Sequence, residues 1–432
     1  MNRPLCPFVA VPLICINHGI LVEPRTEAQT ADTMPPVTVA SPRSVDSVRP
    51  VFPAAVPLTC GPGHHWFGYY EKCPWDASGR RLLAMESAFR ERPPTENDVA
   101  VIGFVDVATG VWTPIAETRA WNWQQGSMLQ WLGDGSSGDI IFNDRVGDRF
   151  VSRVLNVDTK RGRVLDRPIY TVNRAGTQAV SLNFARLQHQ RPGYGYAGLP
   201  DPWLGVDEPE DDGLWSVDLI TGASRLILSA AEAANFKRGA DFAGKVHRFN
   251  HAQFGPGDRF AVLHRRKTPD MEVGDTRLLT MDINGGGLRC LTDHNLVSHY
   301  DWWGRDRIVA WARRAGIGDR YFAFDDGEGG RIEVIGEKLL TCDGHCSFSP
   351  DGRWMLSDTY PDEEHHRTLF LFNMATGERV DIGRFLSPPV KWEIRCDLHP
   401  RWSRDGRKVC IDSIHEGTRQ MYALDVGGIV SR

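Results

Sequence analysis

Four histidines stand at matching places along the chain, and imidazoles brought together can bind a metal or move a proton. Asp351 follows His345 by six positions and Asp405 follows His399 by six, while Asp258 follows His251 by seven and Asp306 follows His299 by seven. Each aspartate sits at a turn, as in Ser349-Pro-Asp-Gly352 and Ser403-Arg-Asp-Gly406. A histidine that recurs before the same turn marks a repeated unit. If the units form a ring, the equivalent imidazoles of His251, His299, His345 and His399 converge, and their nitrogens suit a divalent metal such as Zn or Mn. The bland alternative is a consensus histidine that ties each unit to the next.

A second group combines cations and phenols: Arg167-Pro-Ile-Tyr170, then Ser181-Leu-Asn183-Phe-Ala-Arg186, then Arg191-Pro-Gly-Tyr194-Gly-Tyr196. A tyrosine serves as general acid or base when a nearby cation lowers its pKa, and an arginine clamps a carboxylate through two parallel hydrogen bonds. The alternative is that these tyrosines are strand residues with surface hydroxyls. Further polar candidates are His64 and His65, and Trp123 with Gln124 and Gln125.

Two landmarks alternate seven times each. One is a turn followed by a strand, as at Asp76 to Glu86, Ser349 to Asp358 and Ser403 to Asp412. The other is a strand ending in Asp or Asn and a Gly turn, as at Phe104 to Gly110, Leu371 to Gly377 and Tyr422 to Gly427. Units of roughly 45 to 65 residues with four short strands predict an all-β, seven-bladed β-propeller over 51–432. In such a ring the first strand of each blade lines the central channel, and Ser181 to Arg186 is read as that strand in the third blade. A strand within Val51 to Thr59 is expected to complete the last blade and hide the sheet edges. Helical periodicity is confined to Ser229 to Lys237.

A net charge of -5 and a pI near 6.3 give no basis for nucleic-acid binding. Residues 1–50 read as a disordered leader or a weak signal segment, because the apolar run from Pro7 to Ile16 is too short to span a bilayer and 23–50 is rich in Pro, Ser, Thr and charge. That pattern points toward secretion or the periplasm. Nine cysteines make an odd number without a disulfide framework; Cys342-x-x-x-Cys346 reads as strand thiols.

Phe67-Gly-Tyr-Tyr70 with Pro74-Trp-Asp76, the Tyr170 to Arg186 spacing and Arg191-Pro-Gly-Tyr-Gly-Tyr196 resemble the propeller polysaccharide lyases, notably the ulvan lyases. His299-Tyr-Asp-Trp302, His345 with its Ser-Pro-Asp-Gly turn, and His399-Pro-Arg-Trp-Ser403 are similar to the oligogalacturonate lyases. The resemblance implies a monomeric lyase that cuts a uronate-containing polysaccharide or oligosaccharide by β-elimination. It implies Tyr170, Arg186, His65 and His64 as catalytic groups, with Gln125, Asn183, Tyr194, Tyr196 and Trp123 contacting substrate. A His-held metal is implied as well, with Asp397 standing where the oligogalacturonate lyases carry another histidine. β-Elimination removes the C5 proton of the uronate and expels the C4 oxygen, so its carboxylate must be neutralised, here by Arg186. The alternatives are a propeller that only binds a glycan or protein, or a glycoside hydrolase, which needs two carboxylates across the scissile bond.

Overall fold

Residues 37–39 and 47–431, apart from 272, 273 and 328, are described by a computed structural model. Seven sheets of four or five strands follow one another along the chain and make a seven-bladed β-propeller with very little helix. The channel-lining strands are His64–Trp66, Gln130–Trp131, Thr171–Val172, Val246–Phe254, Val297–Trp302, Ser347–Phe348 and Arg401–Trp402.

Second strands carry continuous apolar runs because neighbouring blades cover both of their faces. Leu82 to Met85, Phe260 to Leu263 and Ile308 to Ala310 are all fully buried. The turns that follow the channel strands repeat one device. In blades six and seven the Ser349 and Ser403 hydroxyls donate to Asp351 and Asp405, each at 2.6 Å, and Gly352 and Gly406 both adopt φ 69°. Only glycine takes that left-handed conformation without strain.

The ring closes where expected: Val56–Pro57 pairs antiparallel with Gln420–Asp425 as the fourth strand of blade seven. Upstream, Val37–Val39 and Val48–Pro50 pair parallel with the outer strands of blades five and six. Part of the stretch read as a leader therefore forms sheet, while the apolar run from Pro7 to Ile16 lies outside the described residues.

Blade three departs from the sequence reading. Its channel strand is Thr171–Val172, and Gln178–Ser181 is the second strand. Asn173 makes the turn between them, its side-chain oxygen accepting from the backbone N–H groups of Thr177 and Gln178. Asn183 then caps the helix Phe184–Gln190. A second helix, Ala230–Asn235, stands where periodicity placed it and starts with a Ser229/Glu232 capping box, and a short third one, Gly427–Val430, stands at the end of the described chain.

Blades seven and one are joined by buried charge. Arg401 bonds both oxygens of Asp412 at 3.0 and 3.2 Å and donates to the carbonyls of Gly68 and Tyr69, while Arg419 also reaches Asp412 at 3.3 Å. Asp412→Ala leaves two guanidinium groups without their counter-ion and is expected to lower stability by about 3–5 kcal/mol, read by denaturant unfolding.

Candidate functional site

After Trp66 the chain of blade one leaves the sheet and crosses into the channel. Gly68 makes the crossing at φ 131°, and a Cβ there would lie 2.8 Å from the Gln125 carbonyl. Tyr69 is thereby set at the centre. Its ring centroid is 4.9 Å from His251, 6.4 Å from His299, 6.0 Å from His345 and 4.9 Å from His399. His299 and His345 lie 4.2 Å apart and His345 and His399 4.4 Å. The four histidines of the repeat are thus brought together.

Backbone irregularity aims them. His251 and His299 fall at breaks in the pairing of their channel strands, between Asn250 and Gln253 and between Val297 and Tyr300. Such bulges re-aim side chains. His251 and His399 also hold φ of 51° and 40°, an uncommon conformation for a non-glycine residue that clusters at functional sites.

Carboxylates fix two of the rings. Asp358 lies 2.9 Å from His345 Nδ1, and Asp343 lies 3.0 Å from His299 Nδ1. Asp358 is held below the usual carboxylate range because His345 and Arg367 more than offset its burial. An ionised carboxylate only accepts, so His345 Nδ1–H donates to it, and that bond fixes the orientation of the ring. His399 has no hydrogen-bond partner on either nitrogen although it is fully buried. One ligand atom each from His345, Asp397 and His399 lie within 4.8 Å of one another, and among the described residues this group could hold an ion. Asp397 is kept ionised, at about 2, because Arg367 and Arg395 outweigh its burial.

Beside this centre opens a cavity of about 600 Å³ lined by His251, His299, Asp343 and Tyr360 together with Arg191, Arg248, Arg265 and Arg395. Its volume suits a small ligand. Arg191 pairs with Glu393, and Arg395 with Asp397 and Glu393. Arg248 and Arg265 have no ion-pair partner among the described residues, and Nε and Nη1 of Arg248 and Nε of Arg265 are buried without a partner. Burial, then Arg265 and Arg191, push the Arg248 guanidinium down to about 9.

The other expected residues lie elsewhere or are already engaged. The Tyr170 hydroxyl donates to Asn250 and accepts from Gln125 and the His251 N–H, and burial raises its pKa well above 10, which opposes a role as base. Arg186 makes five hydrogen bonds, to Asp201 and to the carbonyls of His247, Trp203, Val206 and Asp207, so no donor remains for a substrate carboxylate. His65 bonds Gln420 and lies near Glu86 at the blade-one seam, and His64 is beside it; neither lines the cavity. Asn183 is bound to Asp201 and Asp212, Trp123 is packed against Trp66 and Trp121, and Tyr196 is stacked on Phe184. Of the expected substrate contacts only Tyr194 lines the cavity, and its hydroxyl accepts from Arg395 at 3.0 Å.

Sequence reading missed Tyr69, Asp343, Asp358, Arg248 and Arg265. Tyr69 stood inside a quoted motif without a role, and the two arginines become neighbours only once strand register is known.

The sequence matches no protein-family model and no curated protein. Among solved structures it is similar to an oligogalacturonate lyase in complex with manganese, at 16% identity and TM-score 0.61 over 87% of this chain and 95% of that one. It is also similar to an oligogalacturonate lyase from Vibrio parahaemolyticus, at 12% identity and TM-score 0.59 over 87% and 96%. The chain shares their fold. At these identities the likeness shows the fold alone, and the ulvan lyase part of the resemblance draws no support from it. TolB from Acinetobacter baumannii also matches, at 12% identity and TM-score 0.42 over 82% of this chain and 80% of that one. No helix among the described residues is long and apolar enough to cross a membrane.

Burial keeps several imidazoles neutral in the fold: His247 is pushed down to about 4, and His251, His264 and His399 well below 6.5. In the unfolded chain each takes a proton near its ordinary pKa of about 6.5. Their stabilisation is therefore fully present above about pH 6.5 and is lost as pH falls toward about 4, where His247 titrates in the fold. Thermal melts are expected to show Tm falling steadily across that window.

Proposed function

We propose that the chain is a lyase that breaks a uronate-containing oligosaccharide or polysaccharide by β-elimination, with a divalent cation held by His345, Asp397 and His399. The observation that carries this reading is the convergence of four channel-facing imidazoles beside a cavity lined by four arginines, of which Arg248 and Arg265 have no ion-pair partner among the described residues. The partnerless nitrogens of buried His399 fit a ligating role, and a set of two imidazoles and one carboxylate suits Mn or Zn. When bound, the cation supplies positive charge near the uronate carboxylate and so makes the C5 proton easier to remove.

His251 is the candidate base. It lines the cavity, is neutral, and its buried Nδ1 has no partner. Tyr170 holds its backbone N–H at 3.1 Å, and the Tyr69 hydroxyl stands 3.4 Å from Nε2. As His251 takes the C5 proton, the C–H electrons form the C4–C5 double bond and the C4–O bond breaks. The Tyr360 ring is partly exposed, but its hydroxyl is withdrawn from water and lies near Asp343 and Asp397, which keep it protonated; it lines the same cavity and can supply the leaving oxygen with a proton. Hydrolysis is disfavoured because the cavity's carboxylates are occupied: Asp275 pairs with Lys245 and Asp343 with His299.

Incubation with a panel of uronate oligomers tests this. The reading expects the ultraviolet absorbance of an unsaturated uronate, lost on chelation, with His251→Gln lowering kcat/KM by about a hundredfold or more. New reducing ends without that absorbance would mark a hydrolase, and binding with no product a non-catalytic propeller.

A further inference from the structure

Blade four is built differently from its neighbours. Its first two strands, Val246–Phe254 and Arg259–Lys267, run nine residues each, whereas the channel strands of blades two, three, six and seven have two. The ladder extends past the bulge that holds His251, pairing Arg248 with Arg265 and Val246 with Lys267. Residues two apart on a strand share a face, so Arg265 and Lys267 point the same way, about 7 Å apart. Arg248 stands directly opposite Arg265, and like charges so placed repel.

Nothing among the described residues relieves that repulsion. None of the three enters an ion pair, and Arg248 is 97% buried with two of its nitrogens unpartnered and its side chain lining the cavity. Lys267 in turn lines a second cavity of about 390 Å³, bounded by Gln190 and Val246, while Arg191, next to Gln190 in the chain, lines the first. The cations thus run along one strand pair from the cavity beside the histidines to the second cavity.

Resting on the lyase reading, we propose that Arg248, Arg265 and Lys267 form a run of anion subsites for acidic groups on sugars beyond the one that reacts, so the ligand is an acidic oligosaccharide longer than a disaccharide. A guanidinium pair with open donors fits either a carboxylate or a sulfate ester, the shared chemistry being an oxyanion on successive sugars.

Equilibrium binding to the full chain in the presence of chelator separates this from catalysis. The probes are galacturonate oligomers of two and four residues, and neutral galactan oligomers of the same lengths carrying sulfate esters. Affinity is expected to rise by about tenfold or more from dimer to tetramer in at least one series, to weaken steeply with salt, and to lose that increment in Arg248→Gln, Arg265→Gln and Lys267→Gln. Because Arg265→Gln removes a repulsion, its Tm should equal or exceed that of the unaltered chain, which guards against misfolding as the cause. Equal affinity for dimer and tetramer in both series, or an increment unchanged in all three variants, would overturn the proposal. Length-dependent binding with no unsaturated product once manganese replaces the chelator would instead overturn the lyase reading and leave the subsites standing.

Discussion

The interaction on which the rest of the structure depends is the packing of Tyr69 against the channel-facing imidazoles of blades four to seven. A propeller leaves a hole on its axis, and here a strand that abandons its own sheet fills it. Gly68 permits the departure, and Arg401 clamps the carbonyls on either side of the Gly68–Tyr69 link while bound to Asp412. Tyr70 completes the plug, its hydroxyl donating to the Tyr300 carbonyl at 2.8 Å and accepting from the Tyr300 N–H at 3.0 Å. With one side chain touching four blades, the positions of all four imidazoles become mutually dependent.

Two electrostatic regimes meet at this point. The centre is buried, with His251 and His399 neutral and carboxylates bound to imidazole or arginine, an environment in which each charge interaction is stronger than in water. The wall of blade four is the reverse, a concentration of positive charge that lacks its complement within the fold. Neutral His251 and His399 beside a cationic wall are the arrangement on which the proposed acidic substrate rests.

Much of the fold was legible because propeller repeats write themselves into local turns. Asp351 and Asp405 announce their blades through the same Ser–Asp bond, and the closing strand was required by the incomplete seventh unit. The histidines were legible for the same reason, since a repeat position maps onto one rim. Arg186 shows the limit. Its proximity to Tyr170 in sequence suggested a pair, yet Asn183 starts a helix that turns the guanidinium toward a cage of carbonyls. Blade three misled because Asn173, which carries no Gly-Asp signature, makes its first turn. Arg248 and Arg265, seventeen positions apart in the chain, are joined only by strand register, which depends on a bulge the sequence does not mark.

His345, Asp397 and His399 of blades six and seven form the proposed ion-holding centre. Anomalous diffraction from crystals soaked in manganese tests it most directly. A single strong peak between His345, Asp397 and His399 is the predicted result. A fully soaked crystal with no peak there, or with manganese bound only elsewhere, would contradict it.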